Sequence, residues 1–172
     1  DSRPIDYLTG DERIAGSGNW KSKTFSSLAN FSIPNLVEIG ERGMLEEASV
    51  VRDYMQQGAH FYPMWKVRSE LGIAGLCEEL HHAYQGTDDV YVHFDMDVLG
   101  GAGPAPGDIL GELAEPMGMS DYEIIRLAHE IGKRGLTGMS FICIPPGSMV
   151  TYRLIVYIIA FLIAGLALSR SD

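Results

Sequence analysis

The chain has 172 residues, 46% apolar and 21% charged, which suits one domain with a sizeable core and excludes disordered, collagen-like and disulfide-knot classes. Its 13 basic and 23 acidic residues leave a net charge of −10, which would repel a phosphate backbone and suits cations or cationic substrates instead of nucleic acid. Two distant cysteines, Cys77 and Cys143, lack metal-ligand spacing, and no segment with a basic start and apolar centre reads as a secretory leader. A reducing cytoplasm is the expected compartment.

The first residues, Asp1-Ser2-Arg3-Pro4-Ile5-Asp6, read as a polar turn, and the stretch through Gly10, Gly16, Gly18 and Asn19 has neither helical nor strand period. Leu36 to Ile39 is a short apolar run closed by Gly40 and Gly43, the pattern of a strand. Glu46 to Gln57 comes next with helical composition and stops at Gly58. Ile73, Leu76, Cys77, Leu80, Ala83 and Tyr84 recur at helical spacing, leaving Glu78, Glu79 and His82 off the stripe, and Gly86 ends the element. Val90 to Phe94 reads as a strand. Ser120-Asp121-Tyr122-Glu123 matches a capping box opening a helix to about Arg134, and Leu136 to Ile144 reads as the next strand. The uncharged run Leu154 to Leu168 is short for a membrane span and is expected as a helix buried in a core or subunit contact, with Ile158 and Leu162 at the contact. Strand and helix alternate throughout, so the fold class is α/β with a mostly parallel sheet.

Ligands of such sheets bind beyond the carboxyl ends of the strands, which directs attention to Asp95-Met96-Asp97. Residues i and i+2 of an extended segment share a side, so both carboxylates can converge on a divalent cation. The loop from Gly100 to Gly118 adds Asp108, Glu112 and Glu115 among glycines and prolines. By itself Asp-x-Asp also occurs in solvated turns, in nucleotide-sugar transferases and in phosphohydrolases. His93, by the alternation of the strand, shares the face of Asp95 and Asp97 and offers a substitute donor, the less favoured of its readings. His81 and His82 read as surface residues, and Cys143 as an inert residue of an apolar strand.

VYVHFDMDVL, residues 90–99, resembles the "SFDIDVLDP" strand of the ureohydrolases, the arginase and agmatinase superfamily. Ala105-Pro106-Gly107 and the segment Glu115 to Ser120 are similar to that family's "APG" and "EPGGLT". Ile39 to Gly43 resembles "IGxRG", Ser17-Gly18-Asn19 resembles "SGN", and Asp1-Ser2-Arg3 falls where the family has "DAH". The motifs come in the family's order along nearly the whole chain.

The resemblance implies an arginase-like three-layer α/β/α domain with helices on both faces of the sheet. Residues 1–172 would be its carboxyl-terminal portion, with an amino-terminal part missing from this chain. It implies a hydrolase that uses two manganese or nickel ions to activate water against a guanidinium carbon. Asp1, Asp95 and Asp97 match family metal-ligand positions, and Ser17, Asn19 and Glu115 match substrate-side positions. The departures are specific. Arg3 stands in place of a ligand histidine, and a guanidinium cannot coordinate a cation. Lys21 occupies the proton-shuttle position, Cys143 that of a glutamate pairing with the substrate guanidinium, and the family's "GGDHS" segment does not occur. Arg3 and Lys21 would neutralise the carboxylates in place of metal.

The expected protein is therefore a metal-deficient, structural or regulatory subunit, with no cofactor of its own, in a trimer-based homo- or hetero-oligomer that hydrolyses a guanidino or biguanide compound. Heteromeric members such as metformin hydrolase supply the precedent. An active binuclear-metal amidinohydrolase releasing urea is the alternative, and an Asp-x-Asp metal-dependent transferase a further one. Neither a nucleic acid nor a membrane is expected as partner.

Overall fold

A computed structural model of the chain describes residues 29–42, 48–100 and 116–169. Two compact units emerge: one comprises the described residues up to Glu38 together with 48–61, and the other Ile39–Arg42 with the described residues from Tyr62 onward.

β1 (Val37–Ile39) and β2 (His60–Tyr62) belong to the first unit except for their last residues, Ile39 and Tyr62, which are counted with the second, and α1 (Ala48–Gln56) of the first unit leads to β2. Gly58 reverses the chain after α1 with φ +99° against Pro34, a conformation that disfavours a side chain. Leu36, Tyr54, Ala59 and Phe61 form the buried cluster, backed by Phe31, Ile33 and Val51. The His60 amide donates to the Leu36 carbonyl at 2.9 Å and, further along, Gly40 donates to Tyr62 at 3.0 Å. Partner numbers rise together, so β1 and β2 run parallel, with α1 in the crossover.

In the second unit, a helical turn at Met64–Lys66 runs into a π-helical turn at Val67–Leu71, then α2 (Gly72–Glu79) and a 3₁₀ turn at Leu80–Tyr84. The expected stripe is real: Leu76, Cys77 and Leu80 are buried. β3 (Tyr91–Asp95) and β4 (Gly138–Ile142) pair in parallel, Asp95 opposite Ile142, with Phe94 and Phe141 stacked at a centroid distance of 4.9 Å. Between them α3 (Asp121–Arg134) starts on the expected capping box: Ser120 accepts the Glu123 amide, while the Glu123 carboxylate accepts the Ser120 amide at 2.7 Å. Parallel strands joined through helices make this an α/β fold.

α4 (Met149–Ser169) is longer than the apolar run suggests. By length and composition alone it could cross a membrane, with mean hydropathy 2.1 and 28% of that stretch buried. The buried positions Thr151, Leu154, Ile158, Leu162 and Gly165 form one stripe at helical spacing, and the crossing with α3 brings Gly165 against Gly132. This corrects the expected role of Ile158 and Leu162: they are 0% and 1% exposed inside the chain and cannot form a subunit contact. The exposed apolar residues of α4 include Val156, Tyr157 and Ile163.

Candidate functional site

The carboxyl ends of β3 and β4 lie side by side, so the segment leaving one strand meets the segment leaving the other. After Asp95 the chain does not stay extended but turns through a 3₁₀ element at Met96–Val98. Asp95 caps this turn, its Oδ1 accepting the Asp97 amide at 3.0 Å. The carboxylates therefore converge through a turn, not through the expected alternation of a strand. After β4, Cys143 adopts φ +54°, in the left-handed region that costs a residue with a side chain free energy. That conformation brings its thiol to the pair: donor atoms of Asp95, Asp97 and Cys143 lie within 4.8 Å of one another, each residue half-buried. Among the described residues this is the group of three with the spacing of a cation site.

Cys143 thus lies just beyond β4 and half-buried, not within an apolar strand as expected, and its raised thiol is no nucleophile. Burial, then hydrogen bonding to Asp95 and its charge, and then the influence of Asp97, push its thiol well above the ordinary range. The shift favours the protonated thiol beside the two carboxylates. His93 does not join them: its Nδ1 is 2.7 Å from Ser140 Oγ on β4. Loss of hydration holds its imidazole below the ordinary histidine value, with the charge of Asp95 opposing.

The turn is pinned from three directions. Arg42 donates to the Asp97 carbonyl at 2.5 Å and to the Val98 carbonyl at 3.0 Å. Gly40, at φ +97°, passes so near Val98 that a Cβ would collide with Cγ2. Met119 donates to the Val98 carbonyl at 2.7 Å and accepts from Gly100 at 3.1 Å, closing the ends of the acidic loop. Arg68 secures the same edge, donating to the Gly118 carbonyl at 2.8 Å and to Glu123 at 3.1 Å. None of these clamps was expected from sequence, although Arg42 lies in the segment read as a strand exit.

The other residues singled out from sequence, Asp1, Arg3, Ser17, Asn19, Lys21 and Glu115, lie outside the described residues, as do Asp108 and Glu112. Two carboxylates and a thiol fit part of the coordination sphere of one divalent cation, the oxygens suiting hard ions and sulfur softer ones. The second ion of a binuclear centre finds no donor set among the described residues.

The sequence model of the Arginase family matches residues 9–163. The chain belongs to the arginase family. Its arginase-like fold recurs in formimidoylglutamase from Bacillus subtilis at 19% identity and TM-score 0.72, covering 98% of this chain and 52% of that one. It recurs also in Trypanosoma cruzi formiminoglutamase with Mn2+ at 19% identity and TM-score 0.74, covering 97% and 55%. Arginase from Bacillus caldovelox matches at 22% identity and TM-score 0.61, covering 73% and 42%. The chain thus spans about half the length of these structures, and at such identities the likeness is one of fold. No curated protein matches the chain.

Proposed function

We propose that this arginase-family chain is a subunit of an oligomer, trimer-based and built with homologous chains, that hydrolyses a guanidino or biguanide compound in the cytoplasm, and that its own centre is metal-deficient. Its contribution is then structural or regulatory, as for a degenerate subunit of a heteromeric member such as metformin hydrolase. The observation carrying this reading is Cys143, a neutral thiol set against Asp95 and Asp97. At the position where the resemblance expects a glutamate it supplies no negative charge for a guanidinium, so a charge-assisted pair with substrate is lost.

Within this reading Asp95 and Asp97 keep the capacity for a single cation. With oxygens about 5 Å apart, two ionised carboxylates repel by roughly 3 kcal/mol at an effective dielectric of about 20, which a bound cation relieves. A full pair of manganese or nickel ions would supply a hydroxide near neutral pH. Lys21 at the shuttle position would hold its proton there, unlike a histidine. Ser17, Asn19 and Glu115 remain the proposed substrate contacts, and Asp1 a third carboxylate that Arg3 neutralises.

The intact carboxylate pair favours the alternative, an active binuclear amidinohydrolase releasing urea. Urea release from guanidino and biguanide compounds by the isolated chain, with Mn2+ or Ni2+ supplied, separates the two. No turnover is expected from the chain alone, and turnover on addition of a metal-competent homologous subunit. Turnover by the isolated chain would restore the active-enzyme reading.

A further inference from the structure

We propose that Arg42 is the positioning residue for the Asp95–Asp97 pair, its guanidinium setting the turn so that both carboxylates face one cation. The inference rests on the reading that this pair keeps the capacity for a cation.

The 3₁₀ turn at Met96–Val98 is short; within it Leu99 donates to Met96 at 3.2 Å, and Asp97 donates to the Asp95 side chain at 3.0 Å. The direction of the Asp97 side chain then depends on the next two peptide planes. Arg42 grips both of these planes, Nη2 on the Asp97 carbonyl at 2.5 Å and Nη1 on the Val98 carbonyl at 3.0 Å, and Nη1 also reaches its own segment at Gly40, 3.3 Å away. A planar fork fixes two carbonyls in one plane, which a single rotating ammonium cannot do.

The segment carrying Arg42 is itself held. Gly40 donates to Tyr62 at 3.0 Å and Met64 donates to Glu41 at 2.9 Å, tying down the two residues that precede Arg42. Tyr62 is anchored in turn, donating to the Glu79 carboxylate at 2.5 Å. Hydrogen bonds thus run without a break from α2 through Tyr62 and Arg42 to the turn. The Arg42 guanidinium meets the Asp97 and Val98 main-chain carbonyls, so its effect on a cation is opposite in its two aspects. As a nearby positive charge it weakens cation binding; as a fork it preorganises the ligands and strengthens it.

Arg42→Lys keeps the charge and loses the fork, whereas Arg42→Gln loses both. Co2+ added to the purified full chain, followed by calorimetry and by its visible absorption, reads the affinity and the ligand field. Both variants should bind Co2+ more weakly by about 10- to 100-fold, the range for lost outer-shell partners, with an altered absorption envelope. Unchanged affinity in Arg42→Lys, or tighter binding in Arg42→Gln, would mean that Arg42 acts as a charge alone and would overturn the proposal. In the metal-free chain, exchange of the Asp97 amide should quicken in both variants, and unchanged protection would also overturn it. Absence of Co2+ binding by the unsubstituted chain would refute the cation reading of the pair, and the amide exchange then still decides on Arg42. Should Arg42→Gln fail to fold, Arg42→Lys carries the test.

Discussion

Gly165→Ala sets two effects of opposite sign against each other. In a helix interior alanine is favoured over glycine by about 0.8–1.0 kcal/mol, so an exposed Gly165 would gain stability from the change. In this chain α3 and α4 cross with their backbones in contact at Gly132 and Gly165. A Cβ on Gly165 would collide with the His129 carbonyl oxygen and stand 2.7 Å from the Lys133 nitrogen and 2.9 Å from the Gly132 carbonyl carbon. These are main-chain atoms of α3, which no rotamer change can move aside. The helices must separate by roughly 1 Å, loosening the buried stripe of α4, and overpacking of this kind costs about 1–3 kcal/mol or more. The clash outweighs the propensity, and a net loss of about 1–2 kcal/mol is expected. For a chain of this size each kcal/mol shifts the midpoint by roughly 2–4 °C, so thermal unfolding should move down by about 2–8 °C. Gly132→Ala should act alike, and the double variant should lose less than the sum, because one separation accommodates both methyl groups. A midpoint equal to or above that of the unsubstituted chain would refute the close crossing of α3 and α4.

Ser120→Ala removes the side-chain acceptor of the α3 capping box and should cost about 1 kcal/mol in urea denaturation, with no loss meaning that the cap does not hold α3. Tyr62→Phe removes the hydrogen bond to Glu79 and should cost about 1–2 kcal/mol, at the low side for a charged acceptor because Glu79 is part-exposed. That bond, before all else, holds Glu79 below its usual 4.5, with burial opposing. A carboxyl lowered on folding contributes stability above about pH 4.5 that is lost as pH falls through its folded value, so the acid limb of the stability profile should be flatter in Tyr62→Phe. An unchanged acid limb would count against the Tyr62–Glu79 pairing.

Elements with a local signature were legible. The capping box of Ser120 and Glu123 placed the start of α3, and the apolar period of Leu76, Cys77 and Leu80 placed the buried face of α2. β2 and the turns at Met64–Leu71 were not foreseen, because a three-residue strand and a π-helical turn carry no periodicity of their own. α4 shows the limit of reading an apolar run: composition cannot say which stripe is covered, and Ile158 and Leu162 face inward while Val156 and Ile163 face outward. At the candidate site, Asp95 and Asp97 were visible as a spaced pair at a strand end. The role of Arg42 was not, and although the resemblance put Cys143 at a substrate-side position, its approach to the pair was not: both depend on contacts between segments more than 40 residues apart in sequence and, for Cys143, on a left-handed backbone at a residue with no glycine to announce it.

The metal content of the purified chain bears most directly on the reading of a metal-deficient arginase-family subunit. After saturation with Mn2+ and removal of free ion by gel filtration, elemental analysis should find no more than one ion per chain, held loosely enough to be lost on further washing, because among the described residues Asp95, Asp97 and Cys143 offer donors for one ion and not for two. Two manganese ions retained per chain would contradict the account.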